Sequence, residues 1–317
     1  MKRLLITGVS GLLGINLALV SSNPERTAGV YEVVGLVQSH PLTNTPFEVR
    51  KVDLRCTDTV KQLLDEYRPD VLINCAAITD IDAVESRPDR ALYLNTELPG
   101  ILAMECARRE IRFMQISTDA VFDGERGMYT EEDTPNPRNS YSKSKLEGEK
   151  AVMAVNPQAI IARVNFFGWS LTAQRGLAEW FVTNLKANQP INGFTDILFC
   201  PLLVNQLSEL LLQIFEKHLA GLYHIVSRDW MSKYEFGMAL ADQFGLDGNL
   251  IHPISSKEAG LLARRSPKMT LDTTKLTRDL GSPPPDIKSG VQQFFNLFQY
   301  GYPQKLHSFL AGQISVN

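Results

Sequence analysis

A glycine-rich loop set directly between a strand-like run and a helix-like run constrains this chain more than any other feature. Arg3 to Thr7 (RLLIT) reads as a strand, and Leu12 to Val20 reads as a helix. Between and across them runs Gly8-Val9-Ser10-Gly11-Leu12-Leu13-Gly14, a G-x-x-G-x-x-G spacing. Gly8 permits the tight turn out of the strand. Gly11 lets the backbone come close to a pyrophosphate, and Gly14 lets the helix pack against the sheet. The helix N-terminus then faces phosphates with free N–H groups and a partial positive charge. In this context the loop predicts a dinucleotide site, with Ser10, Leu12 and Leu13 on the cofactor side.

The alternation continues. Strands are expected at 31–37, 47–54, 71–77, 112–117 and 159–164, and helices at 57–67, 89–109 and 141–155. Val60, Leu63, Leu64 and Tyr67 share one helical side, and the apolar run at 71–77 suits a strand covered on both faces. Strand–helix repetition of this kind means a parallel sheet with right-handed crossovers. We therefore expect an α/β, doubly wound Rossmann domain over 1–165. The rest, 166–317, reads as a smaller, irregular and mainly substrate-binding portion, with some segments returning to the first domain. Helices are expected there at 177–187, 205–219, 232–244 and 287–298, a lone strand at 221–226, and a loop at 281–285. Ser232-x-x-Glu235 forms a capping box for the third of these helices.

Composition narrows the function classes. Of 317 residues, 32 are Lys or Arg and 35 are Asp or Glu, a net charge of −3. That balance argues against a nucleic-acid-binding or polybasic membrane-surface protein. Cys56, Cys75, Cys106 and Cys200 are widely spaced and suit free thiols in a reducing cytoplasm. The five histidines form no ligand set, so no structural metal is expected. Lys2-Arg3 and the apolar stretch to Val20 imitate a secretory signal, but three glycines and Asn16 interrupt it, and no signal peptide is expected.

An NAD site usually carries an acid at the end of the second strand. Here that position reads Gln38-Ser39-His40, and Glu32 lies at the wrong end of the strand. With no carboxylate to repel a 2′-phosphate, NADP(H) is favoured over NAD(H), although no arginine follows to clamp that phosphate. Asp53, followed by Leu54 at the end of the third strand, is a candidate acceptor for the adenine amino group or a simple turn aspartate.

Tyr141-Ser-Lys-Ser-Lys145 spells Y-x-x-x-K. On a helix, i and i+4 share a face, so Tyr141 and Lys145 lie side by side and Lys143 points away. The ammonium should lower the tyrosine pKa toward working pH. The phenol is then a general acid/base for a carbonyl receiving hydride. The lysine can also hold the nicotinamide ribose. Upstream, a strand ends in Ser117-Thr118-Asp119, at the sheet edge where ligands bind. Thr118 can place a hydroxyl beside Tyr141, and Asp119 is either a substrate contact or a turn cap.

TGVSGLLG, NCAA, ISTDAVFDG and YSKSK, in this order, resemble the extended short-chain dehydrogenase/reductases. ISTDAVFDG with YTEEDTPNPRNSYSKSKLEGE is similar to the dTDP-4-dehydrorhamnose reductase branch. The similarity is dense from Met1 to about Gly168, and GLYHIV, ARRSP and LDTTKL extend it more thinly. The resemblance implies a catalytic set of Thr118, Tyr141 and Lys145. It places Asn74 to Ala77, including Ala76, and Asn95 on the cofactor side. It implies reduction of the 4-keto group of a nucleotide-linked deoxysugar. Two departures stand near the expected substrate: Ala120, where the branch usually has tyrosine, and Leu202, where threonine is common. Asp119 is followed by Ala120 rather than the second acid of a dehydratase, which favours simple reduction.

Asn165, Phe166, Phe167 and Trp169 could line a sugar pocket, with core packing the stronger reading for the two phenylalanines. Arg264 and Arg265 suit a pyrophosphate or a solvated turn. Two rivals keep the cofactor site: a nucleotide-sugar epimerase, and a non-catalytic dinucleotide-binding regulatory subunit, since the regulatory subunit of methionine adenosyltransferase is similar to this branch. A homodimer is compatible with the sequence.

Overall fold

The computed structural model describes residues 1–25, 31–39, 41–173, 176–258 and 266–310. Its centre is a sheet of seven parallel strands. β1 (Lys2–Thr7) leads through the glycine loop into α1 (Leu12–Ser21). β2 (Tyr31–Val37), β3 (Glu48–Lys51), α2 (Thr57–Tyr67) and β4 (Val71–Asn74) follow. Then come α3 (Ile81–Ser86), α4 (Asp89–Ala91), a π-helical segment (Leu92–Glu97) and α5 (Leu98–Arg108). β5 (Arg112–Thr118), α6 (Ser140–Val155) and β6 (Ile160–Val164) complete the first half.

The C-terminal half adds β7 (Phe166–Phe167), α7 (Leu177–Lys186), β8 (Ile191–Phe194), β9 (Leu198–Phe199) and β10 (Leu202–Leu203). α8 (Val204–Glu216) and β11 (Gly221–Ile225) come next, then β12 (Met231–Ser232) and α9 (Lys233–Phe244). β13 (Ile251–Ile254), β14 (Lys268–Met269), α10 (Thr274–Leu280), α11 (Ile287–Gln299) and α12 (Tyr302–His307) close the described chain.

The large sheet runs β11-β6-β5-β4-β1-β2-β3. The direction of winding reverses between β1 and β4, which leaves a crevice at their carboxyl ends. All four residues of β4 are buried, as the uninterrupted apolar run requires of a strand covered on both faces. A polar seam crosses this region inside the core. The Thr7 hydroxyl donates to Asn74 Oδ1 at 2.5 Å, and Asn74 Nδ2 donates to Gln115 Oε1 at 2.7 Å. These bonds satisfy side chains that would otherwise be costly to bury. They also tie β1, β4 and β5 together at the edge where the site forms.

β11 is not a lone strand. It pairs in parallel with β6, register Gly221 to Ile160, and extends the main sheet. The sequence reads 221–226 as a strand and expects some C-terminal segments to return to the first domain, but so short a run does not name its partner. Around this sheet the C-terminal half builds three small sheets and a helical layer, with Phe181, Phe236 and Phe294 fully buried and continuous with the main core. Ser232 caps α9 as its spacing predicted: Ser232 Oγ accepts from the Glu235 N–H and Glu235 Oε2 accepts from the Ser232 N–H.

The segment expected as one helix over 89–109 is helical but interrupted by the π turn at Leu92–Glu97. Pro99 has no N–H to give the Asn95 carbonyl, so the regular ladder cannot continue there. The Asn95 carbonyl faces α6 instead, and α6 meets it with Gly148. A β-carbon at Gly148 would lie 2.1 Å from that oxygen. We predict that Gly148→Ala forces the two helices apart and costs about 1–3 kcal/mol, as other overpacked cores do. Urea unfolding measures this; an unchanged midpoint contradicts it.

Candidate active site

The site begins with the turn out of β1. Gly8 has φ +64, and a β-carbon there would lie 2.9 Å from the Ala76 backbone. The loop can therefore lie against the segment after β4 only with glycine at this position. The Ala76 N–H donates to the Thr7 hydroxyl at 3.1 Å and holds that contact. Gly11 opens α1 with no side-chain cap on its N–H groups. These are the groups that receive a phosphate at such a helix end.

Two clefts meet over this loop and share Gly11, Cys75 and Ala77. The first, about 220 Å³, is lined by Gly8, Ser10, Gln38, Asp53, Leu54 and Ala76, among others. These are among the residues expected on the cofactor side. Ser39 and Arg55 join them, and Arg55 is a residue the linear reading missed. It comes from the loop after β3, so a search of the residues after β2 could not find it. Its guanidinium pairs with Asp53 at 2.6 Å and holds that carboxyl down to about 2. His40 lies outside the described residues.

The second cleft, about 440 Å³, is lined by Leu12, Leu13 and Gly14 on one side and by Thr118, Asp119, Tyr141, Lys145 and Asn165 on the other. Phe166, Thr79, Gly176 and Leu177 complete the wall. Asn139 caps α6 through its side chain, which sets Tyr141 in the first turn. Lys145 then stands one turn on, facing the same way. Lys143 points out to solvent, as expected.

Lys145 is buried, and its Nζ donates to the Ile116 carbonyl at 2.7 Å. Burial lowers its pKa to about 8, opposed by Glu149 and Cys75. Tyr141 keeps part of its ring open to the cleft, but the surrounding protein pushes its pKa up to about 12. The nearby Thr118 hydroxyl works the other way. The sequence argument placed this phenol lower, because it counted the ammonium and not the desolvation of a phenolate. A phenol that keeps its proton at neutral pH is suited to giving one up rather than taking one.

Asp119 turns out to be both a turn residue and part of the cleft. Thr118 caps the short helix Asp119–Val121, and the Thr118 hydroxyl donates to Asp119 Oδ1 at 3.0 Å. Asn165 Nδ2 donates to Asp119 Oδ2 at 2.6 Å. Burial raises the Asp119 pKa to about 6, with these hydrogen bonds and Lys233 pulling it back.

Three expectations need correction. Trp169 does not line the cleft. It is 4% exposed, its Nε1 donates to the Phe294 carbonyl at 3.0 Å, and its ring stacks on Phe294 at 4.0 Å. An indole with a buried acceptor is a core residue, and sequence could not supply the acceptor. Asn95 lines neither cleft. Its side chain accepts from the Ile78 N–H at 2.9 Å and donates to the Ile78 carbonyl and to Ser144 Oγ, so it braces the loop after β4 against α6. Leu202 is buried in β10 beside Phe166, with its N–H on the Asn165 carbonyl, and lines neither cleft. Phe167 is core, as weighed, while Phe166 reaches the cleft. Arg264 and Arg265 lie outside the described residues. Among those described, no helix is long and apolar enough to cross a membrane.

A doubly wound sheet, a glycine loop at its switch point and a Tyr–Lys helix face opening on the same cleft place the chain among the extended short-chain dehydrogenase/reductases. A family model described as the RmlD substrate binding domain matches residues 1–300, and the chain belongs to that family. A relative from Haloferax volcanii, named a probable low-salt glycan biosynthesis reductase, is 35% identical over 291 residues, covering 90% of this chain and 95% of its own. The methionine adenosyltransferase 2 subunit beta of Mus musculus is 32% identical over 302 residues, covering 92% and 86%. The crystal structure of the Bacillus anthracis dTDP-4-dehydrorhamnose reductase in complex with NADP superposes with a TM-score of 0.81 at 26% identity, covering 93% of this chain and 99% of that one.

Asp119 carries a prediction. Its folded pKa is raised above the unfolded value, so its contribution to stability is intact below about pH 4 and lost as pH rises through about 6. Asp119→Asn should therefore be more stable than the parent at pH 8 by about 1–3 kcal/mol, the scale of a shift of about two pKa units. The gain should fade toward pH 4. Unfolding curves at both pH values decide; an Asn variant less stable at pH 8 contradicts the assignment.

Proposed function

We propose that the chain reduces the 4-keto group of a nucleotide-activated deoxysugar to a 4-hydroxyl, using NADP(H). One observation carries this reading: the glycine loop and the Tyr141–Lys145 face open on one continuous cleft. The tight turn at Gly8, packed against the Ala76 backbone, and the uncapped start of α1 fit a dinucleotide pyrophosphate. A bound nicotinamide dinucleotide would supply hydride to the carbonyl carbon.

The chain's own residues do the rest. Gly11 to Gly14 would hold the pyrophosphate, with Asp53 and Leu54 beside the adenine. Tyr141 holds a proton at its phenol oxygen and releases it to the carbonyl oxygen as that oxygen gains charge. Thr118 turns its hydroxyl from Asp119 to the same oxygen and orients it. Lys145 stabilises the phenolate left behind and reaches the ribose. Asp119 and Asn165, locked to each other, offer polar contacts to the sugar. The similarity to the dehydrorhamnose reductase supports the substrate class.

Arg55 supports NADP(H) over NAD(H). It lines the adenosine side with Gln38 and Ser39, and no carboxylate faces a 2′-phosphate from β2. Arg55 can leave Asp53 for a phosphate dianion, a charge-assisted fork.

The match to the methionine adenosyltransferase subunit supports a second reading, cofactor binding without turnover. Incubation with NADPH and a panel of 4-keto nucleotide sugars separates the two: we expect NADPH consumption with at least one sugar. Cofactor binding with no oxidation on any sugar contradicts the reductase reading.

Three outcomes follow from the roles assigned. Tyr141→Phe should lower kcat by about 10²-fold or more, the scale of lost general-acid catalysis. The kcat of the parent should fall as pH rises through about 8, because Lys145 loses its charge there. Arg55→Gln should raise KM for NADPH about tenfold and leave NADH unaffected, which corresponds to about 1.4 kcal/mol for one lost charged contact. Equal changes for both cofactors contradict the role of Arg55.

A further inference from the structure

Tyr141, Lys145 and Glu149 stand at i, i+4 and i+8 on α6, one above another on a single face. The end of β5 meets all three in turn. The Thr118 hydroxyl reaches the phenol, the Ile116 carbonyl accepts from Lys145 Nζ at 2.7 Å, and the Ser117 hydroxyl donates to Glu149 Oε1. From the far side, Arg163 on β6 grips the same carboxylate with two nitrogens, Nε at 3.0 Å from Oε1 and Nη2 at 2.7 Å from Oε2. Glu149 is 5% exposed and Arg163 3%. Behind them the guanidinium lies over the Phe122 ring at 5.0 Å.

A buried ion pair is weak evidence for stability, because desolvation rivals the attraction. Two well-packed apolar side chains would fill this space at least as well. They would not hold a negative charge one turn behind a buried ammonium. Lys145 has few other sources of such support. Of the groups around it, Cys75 comes from the segment after β4, Tyr141 from its own helix and Asp119 from the end of β5. Glu149 outranks Cys75 in opposing the effect of burial on Lys145. On β11, beyond Arg163, burial pushes the His224 imidazole down to about 3, so it adds no charge at neutral pH.

We propose that Glu149, fixed by Arg163 and Ser117, is a positioning residue that keeps Lys145 cationic and aimed along α6 at Tyr141. The role rests on the reading of Tyr141 and Lys145 as the reducing pair. Arg163 serves it indirectly: it gives the carboxylate a partner on the side away from the lysine and holds it in place inside the core.

The test reads Lys145 itself, without turnover. The full-length protein is labelled across a pH series with acetic anhydride, and the acetylation of Lys145 is followed by peptide mass spectrometry. Glu149→Gln should lower the midpoint of Lys145 by about one pH unit, the scale of a lost neighbouring opposite charge. The alkaline fall of kcat should move with it, while KM changes little. Glu149→Gln leaves Arg163 buried without a partner and could unfold the chain. The double variant Glu149→Gln, Arg163→Met removes both charges, and it should show the same lowered midpoint. An unmoved midpoint in the double variant overturns the proposal and leaves Glu149 a packing residue. Turnover that survives Tyr141→Phe would instead remove the reductase reading, and the Lys145 midpoint would still judge Glu149.

Discussion

The contact between α6 and the end of β5 governs the rest of this site. One helix face carries a phenol, an ammonium and a carboxylate at successive turns, and one strand end offers a hydroxyl, a carbonyl and a second hydroxyl to meet them. The contact fixes the helix along its axis, since a slide of one residue would unpair groups that are expensive to bury unpaired. It also fixes chemistry. Burial alone would strip Lys145 of its charge and bind the proton on Tyr141 tightly. The polar partners along α6 and β5 oppose both tendencies, and the balance leaves an acid next to a cation at the open edge of the sheet.

A second constraint sets what faces that pair. The winding of the sheet reverses between β1 and β4, and Gly8 lets the loop after β1 lie directly on the segment after β4. The seam of Thr7, Asn74 and Gln115 carries the geometry inward, so the floor of the cleft and the strand that positions Thr118 are one hydrogen-bonded unit. The π turn at Leu92–Glu97 belongs to the same construction. Pro99 opens the helix there, Gly148 admits α6, and the Asn95 side chain secures the loop beneath the cleft.

The parts legible in the sequence were those whose signal is local. The glycine loop, the two-sided apolar run of β4, the capping box at Ser232 and the four-residue spacing of Tyr141 and Lys145 each occupy one short stretch, and each emerged in place. What sequence could not show depends on a partner far along the chain. β11 is an ordinary five-residue run until β6 lies beside it. Arg55 reaches the first cleft from the loop after β3, not from the end of β2 that the usual fingerprint inspects. Trp169 follows the β6 strand and suits a sugar pocket by composition, but the Phe294 carbonyl claims its N–H and makes it core. The raised pKa of Tyr141 has the same origin: the ammonium is visible in the spacing, whereas the desolvation comes from the whole fold.

The central claim is that the Tyr141 phenol meets the carbonyl oxygen being reduced. A crystal structure of the protein with oxidised cofactor and a 4-hydroxy nucleotide-sugar product tests it most directly. The account predicts the sugar 4-oxygen within hydrogen-bond reach of the Tyr141 oxygen, about 2.6–3.2 Å, with Thr118 on the same atom. A product whose 4-oxygen is turned away, more than about 10 Å from that phenol and out of reach for any proton transfer, would contradict it.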